Sequence, residues 1–150
     1  MGDSPPAGPP ILREVREEDL PIFFEHQRDP EAVRMAVFPS RDLEAFMAHW
    51  RKIMADAAVL LRTVEVEGLV AGNVVSFMRG GEREVGYWIG REFWGRGIAT
   101  RALEAFLLEE RTRPLFAGAA TGNVASLRVL EKCGFVPCRT EGDEVVLRLG

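Results

Sequence analysis

Between Glu84 and Ala120 the chain changes periodicity twice, and that change constrains the fold more than any other feature. Glu84-Val85-Gly86-Tyr87-Trp88-Ile89 alternates as a strand does and stops at Gly90. A loop from Arg91 to Arg96 follows. Ile98, Ala99, Ala102, Leu103, Phe106 and Leu107 then mark one face of a helix that stops before Pro114. Leu115 to Ala120 has the length of a short buried strand. Strand, helix and strand in that order form a crossover, which puts two parallel strands in one sheet with the helix packed across its face.

The segments before this unit read differently. Residues Met1 to Pro10 hold four prolines and no large apolar side chain, so they are expected to be a mobile tail, with the domain spanning 11–150. Ile11 to Arg16 reads as a first strand. Glu17-Glu18-Asp19 then places negative charge at the start of a helix carrying Leu20, Ile22, Phe23 and Phe24. After a break at Asp29-Pro30 and a short segment ending at Phe38-Pro39, Leu43, Phe46, Met47, Trp50 and Met54 recur at helical spacing. Strands are expected at Val59 to Glu65 and Leu69 to Met78, joined at Glu67-Gly68, and a turn at Gly80-Gly81 leads into the Glu84 strand. Beyond the crossover, Asn123 is placed to cap a helix that runs through Lys132 and closes at Gly134. Phe135 to Arg139 and Val145 to Leu149 finish as a hairpin. The order β-α-α-β-β-β-α-β-α-β-β describes one α/β domain, a mixed sheet flanked by helices.

The loop at Trp94 to Thr100 has the makings of an anion site. Gly95 and Gly97 let the backbone approach closely, successive amides point into the concavity, and the following helix adds partial positive charge at its N-terminus. Arg96 adds a full charge. A glycine pair before a helix also serves as a plain tight turn. The dinucleotide fingerprint fails because Thr100 stands where a third glycine belongs, and the P-loop fails because no Gly-Lys pair precedes a Ser or Thr.

Composition removes other classes. With a net charge of -4 the chain lacks the basic surface that a nucleic-acid backbone demands. The longest uncharged stretch, Pro114 to Leu127, is too short to span a bilayer, and no apolar secretory core is present, so a cytoplasmic protein is expected. Cys133 and Cys138 have neither redox nor zinc spacing and are expected to be reduced, packed thiols. His26 and His49 fall on separate helices, and no cluster has metal-site spacing, so no metal is expected.

The motifs EVGYWI, FWGRGIATRAL and NVASLRVLEKCGF, in that order, resemble the GNAT superfamily of N-acetyltransferases, in the branch related to the ribosomal-protein alanine N-acetyltransferases RimJ and RimL. The resemblance runs from Ile11 to the C-terminus. It implies a mostly antiparallel sheet of about seven strands with about four helices, splayed between the fourth and fifth strands. It also implies acetyl-CoA as the acyl donor, held through Gly95, Arg96, Gly97, Ile98, Ala99 and Thr100. The pantetheine arm would lie along Tyr87, Trp88 and Ile89, near Leu115 to Ala120, with Asn123 and Ser126 beside the thioester. Many members carry a tyrosine that protonates the leaving thiolate, and Leu130 stands at that position here. In the RimL-like branch a serine takes the role, matching Ser126. That branch also has a carboxylate near the final hairpin, for which Glu141 and Glu144 are both candidates.

The implied reaction is direct attack of a neutral primary amine, on a protein N-terminus or a small molecule, with a main-chain N–H near Ile89 stabilising the oxyanion. A lysine ammonium costs roughly 4.6 kcal/mol to neutralise at pH 7, but an α-amino group only about 1 kcal/mol. A modest base suffices for the latter, and Glu84, ten residues before Trp94, is the candidate. An exposed strand carboxylate beside Arg83 is its plainer reading, as helix capping is for Asn123 and Ser126. Asp29, Phe38 and His49 are candidates for the acceptor wall. A cofactor-binding sensor without catalysis and a transferase of longer acyl groups stay open, as do monomer and homodimer.

Overall fold

A computed structural model describes residues 8–29 and 42–150. The elements in chain order are β1 (Ile11–Arg13), α1 (Leu20–Arg28), α2 (Leu43–Met54), β2 (Leu60–Val66), β3 (Leu69–Arg79), β4 (Glu82–Ile89), α3 (Ile98–Phe106), β5 (Leu115–Ala120), α4 (Val124–Lys132), β6 (Val136–Glu141) and β7 (Glu144–Leu149). Short 3-10 turns precede α1 at Glu17–Asp19 and follow β4 at Arg91–Phe93. Most of the expected tail, and Phe38, lie outside the described residues.

The strands form one seven-stranded sheet in the order β1-β2-β3-β4-β5-β7-β6. All neighbours are antiparallel except β4 and β5, which are parallel as the crossover requires. The helices cover both faces. On one side α1 and α2 bury Leu20, Phe23, Phe46 and Trp50 against Leu61, with Phe23 and Trp50 ring centroids 4.9 Å apart. On the other, Ile98, Ala102, Leu103 and Phe106 of α3 and Leu130 of α4 pack on Val64, Val74, Val85, Ile89, Leu115, Ala117 and Leu147. The alternation within each strand assigns its residues to these two faces.

Two sequence expectations are corrected, and the end of α3, expected before Pro114, is located. β1 ends at Arg13 rather than Arg16, because Arg16 N–H donates to Asp19 Oδ2 and turns the chain into α1. Asp19 also takes both terminal nitrogens of Arg13 and the hydroxyl of Thr63, a buried junction that staples β1, β2 and α1. The α3 helix stops at Phe106, since Glu110 is drawn back to the sheet, where Ser76 Oγ and Arg83 Nε donate to its carboxylate. Cys138 is exposed rather than packed, because β6 is the sheet edge and every residue of that strand is exposed. Both cysteines are free, and burial pushes the Cys133 thiol up to about 11.

Candidate active site

β4 and β5 meet at a single register point, Glu84 opposite Phe116, and diverge beyond it. A cleft of about 670 Å³ opens where they part. Residues from both sheet faces line it: Tyr87, Asn123 and Ser126 on the side of α3 and α4, Phe77, Glu84 and Glu144 on the side of α1 and α2. The gap therefore runs through the sheet.

The ladder decides which main-chain groups of β4 face that gap. Gly72 lies opposite Ile89, and Gly90 N–H donates to Ala71 O at 2.8 Å, which makes Gly72 and Ile89 a pair that does not exchange hydrogen bonds. The amides of Ile89 and Tyr87 consequently point away from β3 and toward the diverging β5. Trp88 alternates with them, so its main chain pairs with Asn73 in β3. Its indole Nε1 donates to His26 O at 3.3 Å and ties β4 to α1. All three residues expected to meet the pantetheine arm line the cleft, but only Tyr87 and Ile89 direct their amides at the gap, the main chain of Trp88 being paired with β3. The carbonyl of Ile89 accepts from Trp94 Nε1 at 2.8 Å, which leaves the N–H as that residue's donor toward the cleft.

At one mouth of the cleft the chain turns through Gly95 and Gly97, with φ of 76° and 71°. Gly97 is the N-cap of α3 and has left-handed backbone, a conformation that side chains with a Cβ resist. The amides that follow open α3, where unpaired N–H groups and the helix dipole favour an anion. Gly95, Gly97, Ile98, Ala99 and Thr100 all line the cleft. Arg96 does not: its guanidinium lies over the Phe93 ring, 5.8 Å from the centroid, and its carbonyl accepts from Arg101. Cys133 Sγ lies 3.6 Å from Thr100 O and joins α4 to this turn. An open concavity of main-chain donors with room above Gly95, where a Cβ would meet nothing within 4 Å, fits a pyrophosphate.

On α4, Asn123 Oδ1 accepts from Ser126 N–H at 3.1 Å, so the expected cap is formed. That frees the Ser126 hydroxyl from capping, and it instead lies 2.8 Å from the Tyr87 hydroxyl. Leu130, one turn further on, is 1% exposed and belongs to the core.

On the opposite face Glu84 pairs with Arg79, not with its neighbour Arg83. Arg79 Nη2 lies 3.4 Å from Glu84 and 3.6 Å from Glu144, linking the two carboxylates. Burial holds the Glu84 carboxyl above its ordinary value, opposed by Arg79 and reinforced by Glu144. Glu141 is engaged by Arg139 on the exposed edge strand, so of the two hairpin carboxylates Glu144 is the one that lines the cleft. Sequence spacing could not separate them. Asp29 pairs with Arg91 at 3.4 Å, and neither it nor His49 is among the residues that line the cleft. Among the described residues no group of three or more His, Cys, Asp or Glu side chains could hold a metal ion, and no helix is long and apolar enough to cross a membrane.

A family model described as an acetyltransferase (GNAT) domain matches residues 11–136. No curated protein matches the chain in sequence. Among solved structures, the ribosomal-protein-alanine N-acetyltransferase from Brucella melitensis is similar with a TM-score of 0.76 at 22% identity, over 92% of this chain and 98% of that one. RimL, a ribosomal L7/L12 alpha-N-protein acetyltransferase solved with coenzyme A, is similar with a TM-score of 0.76 at 17% identity, over 96% and 94%. The microcin C7 self-immunity acetyltransferase MccE, solved with acetyl-CoA and AMP, has a TM-score of 0.75 at 15% identity, over 93% and 91%.

Proposed function

The chain belongs to the GNAT acetyltransferase family, and from that premise we propose that it moves an acetyl group from acetyl-CoA to a primary amine by direct attack of the neutral amine on the thioester. The observation that carries this reading is the cleft that passes through the sheet, with main-chain donors at the glycine turn on one side and the carboxylates of Glu84 and Glu144 on the other. Two substrates approaching from opposite faces would meet at the gap between β4 and β5.

Gly95, Gly97, Ile98, Ala99 and Thr100 would hold the pyrophosphate, and the amides of Tyr87 and Ile89 would pair with the arm that follows it. When bound, acetyl-CoA supplies an activated acyl group. Glu84 takes the proton of the incoming ammonium, directly or through a water, and its raised pKa brings it nearer to that of an α-amino group. Glu144, bridged to Glu84 by Arg79, adds negative charge that favours a cationic acceptor. The Ile89 N–H is directed to receive the negative charge that develops on the carbonyl oxygen. Ser126 lies at the other wall, where the thiolate leaves.

The acceptor is a primary amine on a peptide N-terminus or a small molecule. RimL is a ribosomal L7/L12 alpha-N-protein acetyltransferase, which supports the peptide N-terminus, and MccE is solved with AMP beside acetyl-CoA, which keeps the small molecule open. The test is thiol release from acetyl-CoA, followed with DTNB against a panel of small amines and peptides bearing free N-termini, alongside calorimetry of acetyl-CoA binding. Release that depends on an amine is expected. Binding without release on any acceptor would favour a sensor, for which the leucine at position 130 is the supporting observation. Comparing acetyl, propionyl and succinyl donors tests the acyl preference.

A further inference from the structure

The chain has one tyrosine, and its hydroxyl lies 2.8 Å from Ser126 Oγ, with either atom able to donate. The two residues come from different elements, Tyr87 from β4 and Ser126 from the first turn of α4, and both line the cleft. Leu130 lines the same cleft but carries no hydroxyl, so this pair is the hydroxyl chemistry that Tyr87 and α4 offer to the gap. A serine hydroxyl carries one proton on a free rotor, and a partner that donates to its oxygen turns that proton elsewhere. With Asn123 already serving the Ser126 N–H, no capping duty competes for the hydroxyl. A phenol that donates to Oγ therefore leaves the serine proton to face the cleft, and accepting that bond also strengthens the serine as a donor.

Resting on the proposed function, we propose that Tyr87 is a positioning residue whose hydroxyl donates to Ser126 Oγ and so aims the Ser126 proton at the sulfur of the leaving coenzyme A thiolate. In the transfer, the amine nitrogen bonds to the acyl carbon and gives up a proton to solvent, the carbon–sulfur bond breaks, and the electron pair stays on sulfur. Tyr87 keeps its own proton. Burial pushes its phenol up to about 12, well above a thiol near 8.5, so protonation of the sulfur by Tyr87 would run uphill by a factor on the order of a few thousand. The dyad stabilises the thiolate by hydrogen bonding, and solvent protonates it on release.

This role is readable without an acceptor. The thiol of coenzyme A bound to the full chain is titrated by the ultraviolet absorbance of the thiolate, with calorimetry to verify saturation. In the wild type the bound thiol is expected to ionise below the pH of the free thiol. Tyr87→Phe, which keeps the ring, and Ser126→Ala are each expected to raise that midpoint by about one pH unit, a tenfold loss of thiolate at fixed pH. The double variant is expected to match Ser126→Ala alone, because Tyr87 acts through the serine. A midpoint unmoved by either substitution, or effects that add in the double variant, would overturn the proposal. Ser126→Ala tests the serine end of the dyad by itself, and an unmoved midpoint there overturns the proposal whether or not Tyr87→Phe folds. Failure of the wild type to bind coenzyme A at all would instead overturn the proposed function, and this inference with it.

Discussion

The carboxylate of Glu144 on β7 occupies the space that a side chain at position 118 of β5 would fill: a Cβ on Gly118 would stand 2.6 Å from Glu144 Cδ. The glycine gives the carboxylate its place at the gap. Gly118→Ala is expected to displace Glu144 and slow amine-dependent thiol release by about tenfold or more, since small misplacements at a reacting centre are expensive. Affinity for acetyl-CoA should fall less than turnover does, because the glycine turn at Gly95 and Gly97 is left intact. Unchanged turnover in Gly118→Ala would remove Glu144 from the acceptor side of the site.

Glu84 should govern the acid side of the rate profile. As a base it works only when ionised, and burial raises its pKa, so kcat/KM is expected to fall off at a higher pH than an unperturbed glutamate would set. Arg79 opposes that rise. Arg79→Ala removes the opposition, and the acid limb is expected to move to higher pH, with lower activity at neutrality. A pH–rate profile whose limb stays fixed or moves down would contradict the assignment. Glu84→Gln should lower turnover more than Ser126→Ala does, with little change in acetyl-CoA affinity.

Glu110 belongs to stability rather than catalysis. Burial would raise its carboxyl, but hydrogen bonds from Ser76, Thr112 and Arg83 outweigh burial and hold it at about 2. A carboxylate depressed on folding contributes stability that is fully present above its ordinary value near 4.5 and is lost as pH falls toward about 2. Urea unfolding across that window should show a steeper loss in the wild type than in Glu110→Gln. Glu110→Ala at pH 7 should cost about 3 kcal/mol, because Arg83, 14% exposed, is left without its carboxylate.

Gly97→Ala tests the turn. The left-handed backbone at this N-cap, φ 71°, costs a residue with a Cβ roughly 1–2 kcal/mol. The strain is relieved by distorting the turn, so the dissociation constant for acetyl-CoA should rise by about tenfold while kcat at saturation changes less. Calorimetry on the variant measures the first and thiol release the second.

Much of the fold is legible in local letters. Leu115 to Ala120 and the helix capped by Asn123 through Lys132 coincide with the structure, because an apolar run bounded by Pro114, and a cap whose side chain reaches three residues on, act between chain neighbours. Where the reading missed, distant partners intervened. Asp19 ends β1 early because it binds Arg13, Arg16 and Thr63 together, and Cys138 is exposed because the sheet order makes β6 an edge. No periodicity within those segments carries that information.

The sequence alone determined a crossover after β4, a glycine turn opening α3 and a capped α4. Periodicity and caps are properties of residues a few positions apart, and they travel with the chain. Only the tertiary structure decided that Tyr87 meets Ser126 across 39 residues, that Arg79 joins Glu84 to Glu144, and that Arg96 stacks on Phe93 instead of lining the cleft. These depend on β7 lying between β5 and β6, and on β4 and β5 parting after one register point. Such pairings are fixed by which strands lie side by side and which face each side chain takes, and both follow from the packing of two separate cores on one sheet.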